Sequence, residues 1–439
     1  MGRRRIASRR RRPARRQFDR RIRQDQGVAT RIRYMGNKHD VAPVVAELVR
    51  RRRRNRPFLD LFCGMCSVGG AVADTSHRVV GNDVQQFAAH VARCLIATPE
   101  APPKSDELIR SLRRSYLHNQ RKLVERFGVD LAREDRVLGD ADPHAYRRAY
   151  AAWRHAANDN AIAAELEELA AGGGAPPYRL ATLTFAWGYF GLRQAIAIDS
   201  LRYAIDRARD TARLTPAEAD WALVALLQAA SCASASPGHF AQYLHPTGRE
   251  GFVRILRQRR RDIWRQFARE LGDVGPYGTS TWRRGNTVLE ADALSIWDEL
   301  DGLGLDGAIV YADPPYSKDH YSRYYHVLET LTRYDYPPAV GRGRYRPDRF
   351  ATPFSLKGGV EAAMSKLCAA IAAREWTLIL SYPSNGLLNA GCGIDPGDLL
   401  RDHFKRVDLR MRRPTRHSTL GARHGSAHNA VDELLWVAQ

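Results

Sequence analysis

The sequence predicts an α/β fold in which a Rossmann-like parallel sheet is interrupted by a large, mainly helical insertion. Three observations predict it. Near the start, short apolar runs alternate with helical patterns in strand–helix–strand–helix order, which builds a parallel sheet with helices packed on it. From about Pro102 to Trp282, long charged amphipathic stretches replace those runs. Strand-like runs then resume, so the sheet begun before the insertion is completed after it.

Taken in order, residues 1–33 form a basic tail, expected to be disordered, with 14 arginines against Asp19 and Asp25. That is a net +12 of the +21 left by 69 Lys+Arg and 48 Asp+Glu over 439 residues. Such an excess suits a polyanionic partner, although charge runs are also read simply as solvated. Between Arg33 and Arg54, Val41, Val44, Val45, Leu48 and Val49 recur at helical spacing. The basic run Arg50 to Arg54 follows, with Arg56 behind it. Pro57–Phe62 reads as a buried strand stopped by Gly64, and Val68–Ala73 as a helix start. His77–Asn82 is the next strand and Val84–Ala97 the next helix.

Residues 34–101 therefore form the first part of one domain, 102–283 the insertion and 284–439 the second part. Within the insertion, Ser105–Phe127, Asp142–Ala171, Gly191–Asp210, Pro216–Ala230 and Glu250–Leu271 read as helices, broken by Gly172–Pro177. The insertion is expected as a separate lobe hung from one edge of the sheet. Behind it, strands are expected at Thr287–Leu289, Ala308–Ala312, Thr377–Ser381 and Leu435–Ala438, with helices at Tyr321–Tyr334 and Val360–Arg374.

No run of about 18 apolar residues suits a membrane span, and the N-terminus lacks a secretory pattern. A cytoplasmic, nucleoid-associated protein is expected. Six cysteines without framework spacing fit a reducing compartment. Cys63-Gly64-Met65-Cys66 has no second pair with which to hold zinc, so it reads as small residues in a tight turn, and no metal is expected.

The chemistry starts at Asp313-Pro314-Pro315-Tyr316, which follows an apolar strand. Parallel sheets place ligand crevices at the carboxyl ends of such strands. An aromatic exocyclic amine is a poor nucleophile because its lone pair is delocalised. Two acceptors on its N–H groups localise that pair, and Asp313 and the Pro314 carbonyl can supply them while the prolines remove competing donors. Tyr316 can stack on an extruded base. As a bare turn after a strand, the tetrapeptide would be only moderately specific. It gains weight from Asp60 to Gly69, a strand, glycine loop and helix, and from Asp83, nineteen residues after Gly64, near the spacing of an acid on ribose hydroxyls.

Together these segments resemble the Dam-like, alpha-group adenine-N6 DNA methyltransferases, which order their motifs in the same way. Tyr34-Met35-Gly36-Asn37-Lys38 resembles that family's opening aromatic-x-Gly-x-Lys signature. The resemblance implies a Rossmann-like S-adenosylmethionine-dependent methyltransferase sheet with a helical target-recognition insertion, acting on duplex DNA by base flipping. It implies Tyr34, Lys38, Asp60, Phe62, Gly64, Asp83, Asp292 and Asp313 at S-adenosylmethionine, with Lys38 near the cofactor carboxylate, and Asp313, Pro314 and Tyr316 as catalytic residues. A companion restriction enzyme suits the class; oligomeric state and recognition sequence are not readable. Cys66 stands where the family carries a second glycine, so a negative φ is expected there. Cytosine C5 chemistry lacks its Pro-Cys nucleophile, and cytosine N4 enzymes usually carry serine in place of Asp313. An RNA adenine-N6 methyltransferase and a catalytically inactive DNA-binding scaffold stay open. The tyrosines between Tyr316 and Tyr336 are read mainly as core, with DNA contact the alternative.

Overall fold

The computed structural model describes residues 32, 34, 38–53, 56–75, 77–157, 160–246, 248–418 and 428–439. The arginine-rich tail up to residue 31, Arg54, and Met35 to Asn37 of the opening signature lie outside them. The described strands are β1 (Phe58–Asp60), β2 (Val79–Asn82), β3 (Thr287–Leu289), β4 (Ile309–Ala312), β5 (Thr377–Pro383), β6 (Val407–Ser418) and β7 (His428–Ala438). They form one sheet in the order β3-β2-β1-β4-β5-β7-β6. Strands β1 to β5 run parallel, and β7 lies antiparallel between β5 and β6. The chain crosses over between β1 and β4, so the loops leaving those two strands diverge and open a crevice at their carboxyl ends.

Period-two alternation lets one sheet carry two cores. Phe58, Val79, Ile309, Tyr311 and Ile379 face one side, and Leu59, Val80, Val310, Ala312, Leu378 and Leu380 the other. The second side is covered by helices Trp297–Asp301 and Val360–Ala373. On the first side lie α1 (Ala42–Arg50), α2 (Ser67–Ala71) and α3 (Gln86–Ala92), of 9, 5 and 7 residues. They are too short to cover that face alone. Insertion residues Leu108, Leu112, Ile196, Val224 and Phe267 continue the same core without a break. The expected separate lobe is therefore corrected: a parallel sheet needs both faces covered, and the insertion supplies what the short helices leave open.

Polar ties fix the insertion to the helix His326–Arg333. Arg202 donates to the carbonyls of Leu331 and Thr332 at 2.6 and 2.8 Å, satisfying the last turn of that helix. Asp199 accepts the Tyr334 hydroxyl at 2.5 Å and the N–H groups of Ala181 and Thr182 at 2.8 Å. Glu329 in turn accepts the N–H groups of Gln86 and Phe87, giving α3 an N-terminal cap its own residues lack.

Several boundaries differ from expectation for local reasons. Tyr321–Tyr334 is broken at Tyr325, whose φ −121° and ψ 12° are not helical. Glu250–Leu271 splits into Gly248–Arg259 and Ile263–Asp273, where the Asp262 carboxylate accepts the Arg265 N–H at 2.8 Å as a new N-cap. Helix Gly128–Gly139 and strand β6 were not anticipated. Beyond Met411, β6 reads as a basic, proline-bearing loop, and only its ladder with β7 makes it a strand, at the sheet edge where Pro414 is tolerated. No helix among the described residues is long and apolar enough to cross a membrane.

Candidate active site

Strand β4 ends in Asp313, which reaches a cleft of about 750 Å³, partly open to solvent, at the point where the chain crosses between β1 and β4. Tyr34, Phe62, Asp83, Asp292, Asp313 and Tyr321 are among the residues lining it. Among the described residues, no lysine or arginine joins the acidic side chains Asp83, Asp292 and Asp313 there.

Behind Asp313 lies a charged cluster contributed by three distant parts of the chain. Lys38 Nζ is 3.1 Å from Asp313 Oδ1 and 2.7 Å from Glu433 Oε1, and the Ser381 hydroxyl donates to Glu433 Oε1 at 2.6 Å. Lys38 and Glu433 are almost fully buried. The contact to Asp313 is an ion pair without hydrogen-bond geometry, so Asp313 Oδ1 accepts no hydrogen bond. Burial pushes the Asp313 carboxyl up to about 7 against the pull of Lys38, and Glu433 adds to the rise. In Lys38, burial favours losing the proton, but the two carboxylates outweigh it and hold the ammonium above its usual range. One cation thus serves two carboxylates.

The carboxyl ends of β1 and β2 carry the other acids. Asp60 Oδ2 accepts the Gly69 N–H at 2.9 Å in the first turn of α2, and its Oδ1 has no hydrogen-bond partner. Asp83 accepts the Gly64 N–H at 3.0 Å and the Gln85 N–H at 2.9 Å, which ties the glycine loop to the end of β2. Asn82 stitches the same corner: its amide donates to the carbonyls of Leu61 and Ala291 and accepts the Ala291 N–H.

Burial pushes Asp60 up to about 7, opposed by the Gly69 N–H and reinforced by Asp313 and Asp83. Burial likewise lifts Asp83 to about 6, opposed by the N–H groups of Gln85 and Gly64. A carboxyl whose pKa rises on folding contributes stability fully present below its unfolded value, about 3.9 for aspartate, and lost as pH rises through the folded value. Histidines His90, His239 and His326, lowered by burial, act in the opposite sense, so the test is a difference. The stability of Asp60→Asn relative to the parent protein is expected to climb between pH 4 and pH 8 by on the order of 3 kcal/mol. Denaturant titrations at four pH values check this, and a gap independent of pH rejects it.

The loop itself is shaped by two left-handed residues. Gly64 has φ +48°, and a Cβ built on it would lie 2.8 Å from Cε1 of Tyr34. Tyr34 is held in place by stacking on Tyr325, ring centroids 4.7 Å apart at 12°. Gly64→Ala therefore combines left-handed strain of about 1–2 kcal/mol with displacement of the Tyr34 ring. Cofactor affinity is expected to fall about tenfold or more, read by calorimetric titration with S-adenosylmethionine; unchanged affinity would separate the loop from the cofactor.

Cys66 corrects the expectation of a negative φ, since it adopts φ +55° and ψ +29°. Its N–H closes the turn onto the Cys63 carbonyl at 2.7 Å, and its own carbonyl accepts the Gly70 N–H at 2.8 Å. Those bonds fix the turn that leads into α2 and hold cysteine where glycine would be less strained.

Of the residues singled out in the sequence, Tyr34, Phe62, Asp83, Asp292 and Asp313 come together in the cleft. Asp60 and Gly64 are buried near it, and Pro314 is buried in the turn after β4. Lys38 does not line the cleft; it is engaged by Asp313 and Glu433, which differs from the expected contact with a cofactor carboxylate. Tyr316 also lies outside the lining, with Lys38 Nζ 5.6 Å from its ring centroid and Tyr382 edge-on at 6.5 Å. Sequence reasoning missed Glu433, Ser381 and Asn82, and it read His320, which lines the cleft, as structural or phosphate-facing. An acid heading the apolar run Leu434 to Ala438 was a readable signal for Glu433.

A parallel sheet in this order, with its antiparallel β7 between β5 and β6 and Asp-Pro-Pro-Tyr at the end of β4, defines the methyltransferase fold. Residues 34–138 match the family model of the D12 class N6 adenine-specific DNA methyltransferases. The chain is 21% identical over 329 residues to Modification methylase LlaI of Lactococcus lactis subsp. lactis, covering 74% of this chain and 42% of that protein. It is 27% identical over 201 residues to Type II methyltransferase M.FokI of Planomicrobium okeanokoites, covering 46% of this chain and 27% of that protein. The chain thus spans less than half the length of these relatives. No solved structure matches it.

Proposed function

We propose that the chain transfers a methyl group from S-adenosylmethionine to N6 of adenine in duplex DNA. The observation that carries this reading is Asp313, which lines the cleft where the chain crosses between β1 and β4, ion-paired to Lys38 behind it and immediately before the buried Pro314. The residues present suit the cofactor. The cleft's acids Asp83, Asp292 and Asp313 favour a cationic ligand and disfavour a pyrophosphate, and Gly64 leaves a cradle that a side chain would fill.

Tyr34, Phe62 and Asp292 would hold the adenosine and Asp83 its ribose; the bound cofactor supplies an electrophilic methyl group on a sulfonium. The Asp313 carboxylate and the Pro314 carbonyl would accept the two N–H groups of the target amine, which localises its lone pair for attack. Lys38 holds Asp313 in its ionised form, and Glu433 holds Lys38. The amine of a base stacked in a duplex is out of reach of a cleft, so the target adenine would leave the helix to enter it. The insertion, residues 102–283, reads the target sequence. The protein works on cytoplasmic, nucleoid DNA, and a companion restriction enzyme fits the relatives' context.

The test is incubation with methyl-labelled S-adenosylmethionine and matched duplex DNA and RNA, followed by nucleoside analysis. N6-methyladenine in DNA is expected. Label only in RNA, label on cytosine, or cofactor binding without any transfer would each overturn the reading.

A further inference from the structure

A second concavity lies in the insertion, away from the cleft. It encloses about 460 Å³, partly open to solvent, and is lined by Ser231, Cys232, Ser234, Ser236, Gln258 and Arg261, with Phe240 at its side. Nearly all of its chemistry is polar. Ser234, which follows the helix Pro216–Ala233, is only 4% exposed, yet its hydroxyl has no hydrogen-bond partner. The side-chain oxygen of Gln258 is likewise buried without a partner. Leaving two buried polar atoms unpaired is costly unless something binds there.

Arg261 sets the sign of the ligand. Its side chain is exposed and pairs with no carboxylate among the described residues, while its backbone carbonyl and that of Gln258 are pinned by the Gln194 amide at 2.9 and 2.8 Å. Glu270 lies behind Cys232, is bonded by the Gln266 amide and does not line the space. Exposed Arg254, Arg257 and Arg260 flank Arg261 along the chain, also without carboxylate partners among the described residues. Arg259 is different: it is buried, and its guanidinium is used on the carbonyls of Trp187, Gly188 and Tyr189. An oxyanion would meet serine hydroxyls and the Arg261 guanidinium among the lining residues.

We propose that this pocket binds one backbone phosphodiester of the DNA substrate. The proposal rests on the DNA reading above but concerns a separate site. Its position is informative, because the Phe240 N–H donates to the Tyr324 carbonyl at 2.7 Å and Tyr324 ends the short helix whose first residue, Tyr321, lines the cleft. A phosphate seated here is thus registered to the cleft through one hydrogen bond, which fixes where the duplex lies when the target base is presented.

The experiment measures duplex affinity against salt for the full-length chain and two variants. Ser234→Ala removes no charge, so affinity is expected to fall about three- to tenfold at every salt concentration with an unchanged slope. The variant should melt no lower than the parent protein without DNA, since an unpaired hydroxyl is what is lost. Arg261→Ala is expected to reduce the slope of log K against log salt by about 0.9, the loss of one phosphate contact. S-adenosylmethionine affinity should stay the same in both. If Arg261→Ala lowers the slope while Ser234→Ala binds like the parent, the face is merely basic and the pocket is overturned. If neither variant differs from a parent that binds and methylates DNA, the pocket is overturned while the function stands. A parent protein that binds no duplex overturns the DNA reading itself.

Discussion

Asp313→Ala is expected to lower the single-turnover rate of methyl transfer by about 10³-fold or more, with duplex affinity changed by only a few-fold. The size follows from what is removed. Aligned acceptors in a water-poor site act where charge develops, and losing one preorganised partner of that kind costs about 10²–10³ in rate; alanine also removes one carboxylate from a cleft that would take a cationic cofactor. The variant should fold, for a reason visible in the ion pairs. Lys38 keeps Glu433 at 2.7 Å, so truncating Asp313 leaves one cation with one carboxylate in place of one cation with two. A carboxyl pushed up to about 7 by burial is also lost, which relieves the folded state at neutral pH. Quench-flow methylation at saturating cofactor, alongside binding isotherms, separates rate from affinity. Parent-like turnover in this variant would remove Asp313 from the chemistry and with it the proposed mechanism.

Where the sequence was legible, the signal was periodic or chemically dense. Strands β1, β2, β4 and β5 are short apolar runs between breakers, and each was found within a few residues because a strand buried on both faces has little freedom of composition. The corner where the glycine loop meets the end of β2 was legible through Gly64 and Asp83, which are hydrogen-bonded to each other. Strand β6 was not, because as an edge strand it needs no apolar pattern of its own and takes its conformation from β7. Cys66 was misjudged for a related reason: the loop's hydrogen bonds, which no local propensity reports, hold a residue with a Cβ at φ +55°. Lys38 and Glu433 lie 395 residues apart, and their pairing follows from β7 entering antiparallel beside β5, which is topology and not pattern.

That pairing carries the second large effect. Lys38→Met deletes the only cation paired with both Asp313 and Glu433 among the described residues, leaving two buried carboxyls with like charge. Removing one partner of a buried ion pair typically costs about 3–5 kcal/mol. Asp313, already raised by burial and by Glu433, then loses the cation that lowers it and moves further up. A protonated Asp313 has lost its anion, so the acid limb of the methylation rate should shift to higher pH by about one unit or more, and stability at pH 8 should fall. Glu433→Gln separates this account from a plain packing defect. Alone, it removes a group that raises Asp313, so the acid limb should move to lower pH with the plateau rate within a few-fold. Placed in the Lys38→Met background, it removes one of the two opposed carboxyls and should recover most of the stability lost at pH 8. A Lys38→Met variant with the parent's pH profile, or a double variant no more stable than Lys38→Met, would mean that Lys38 does not set the charge of Asp313.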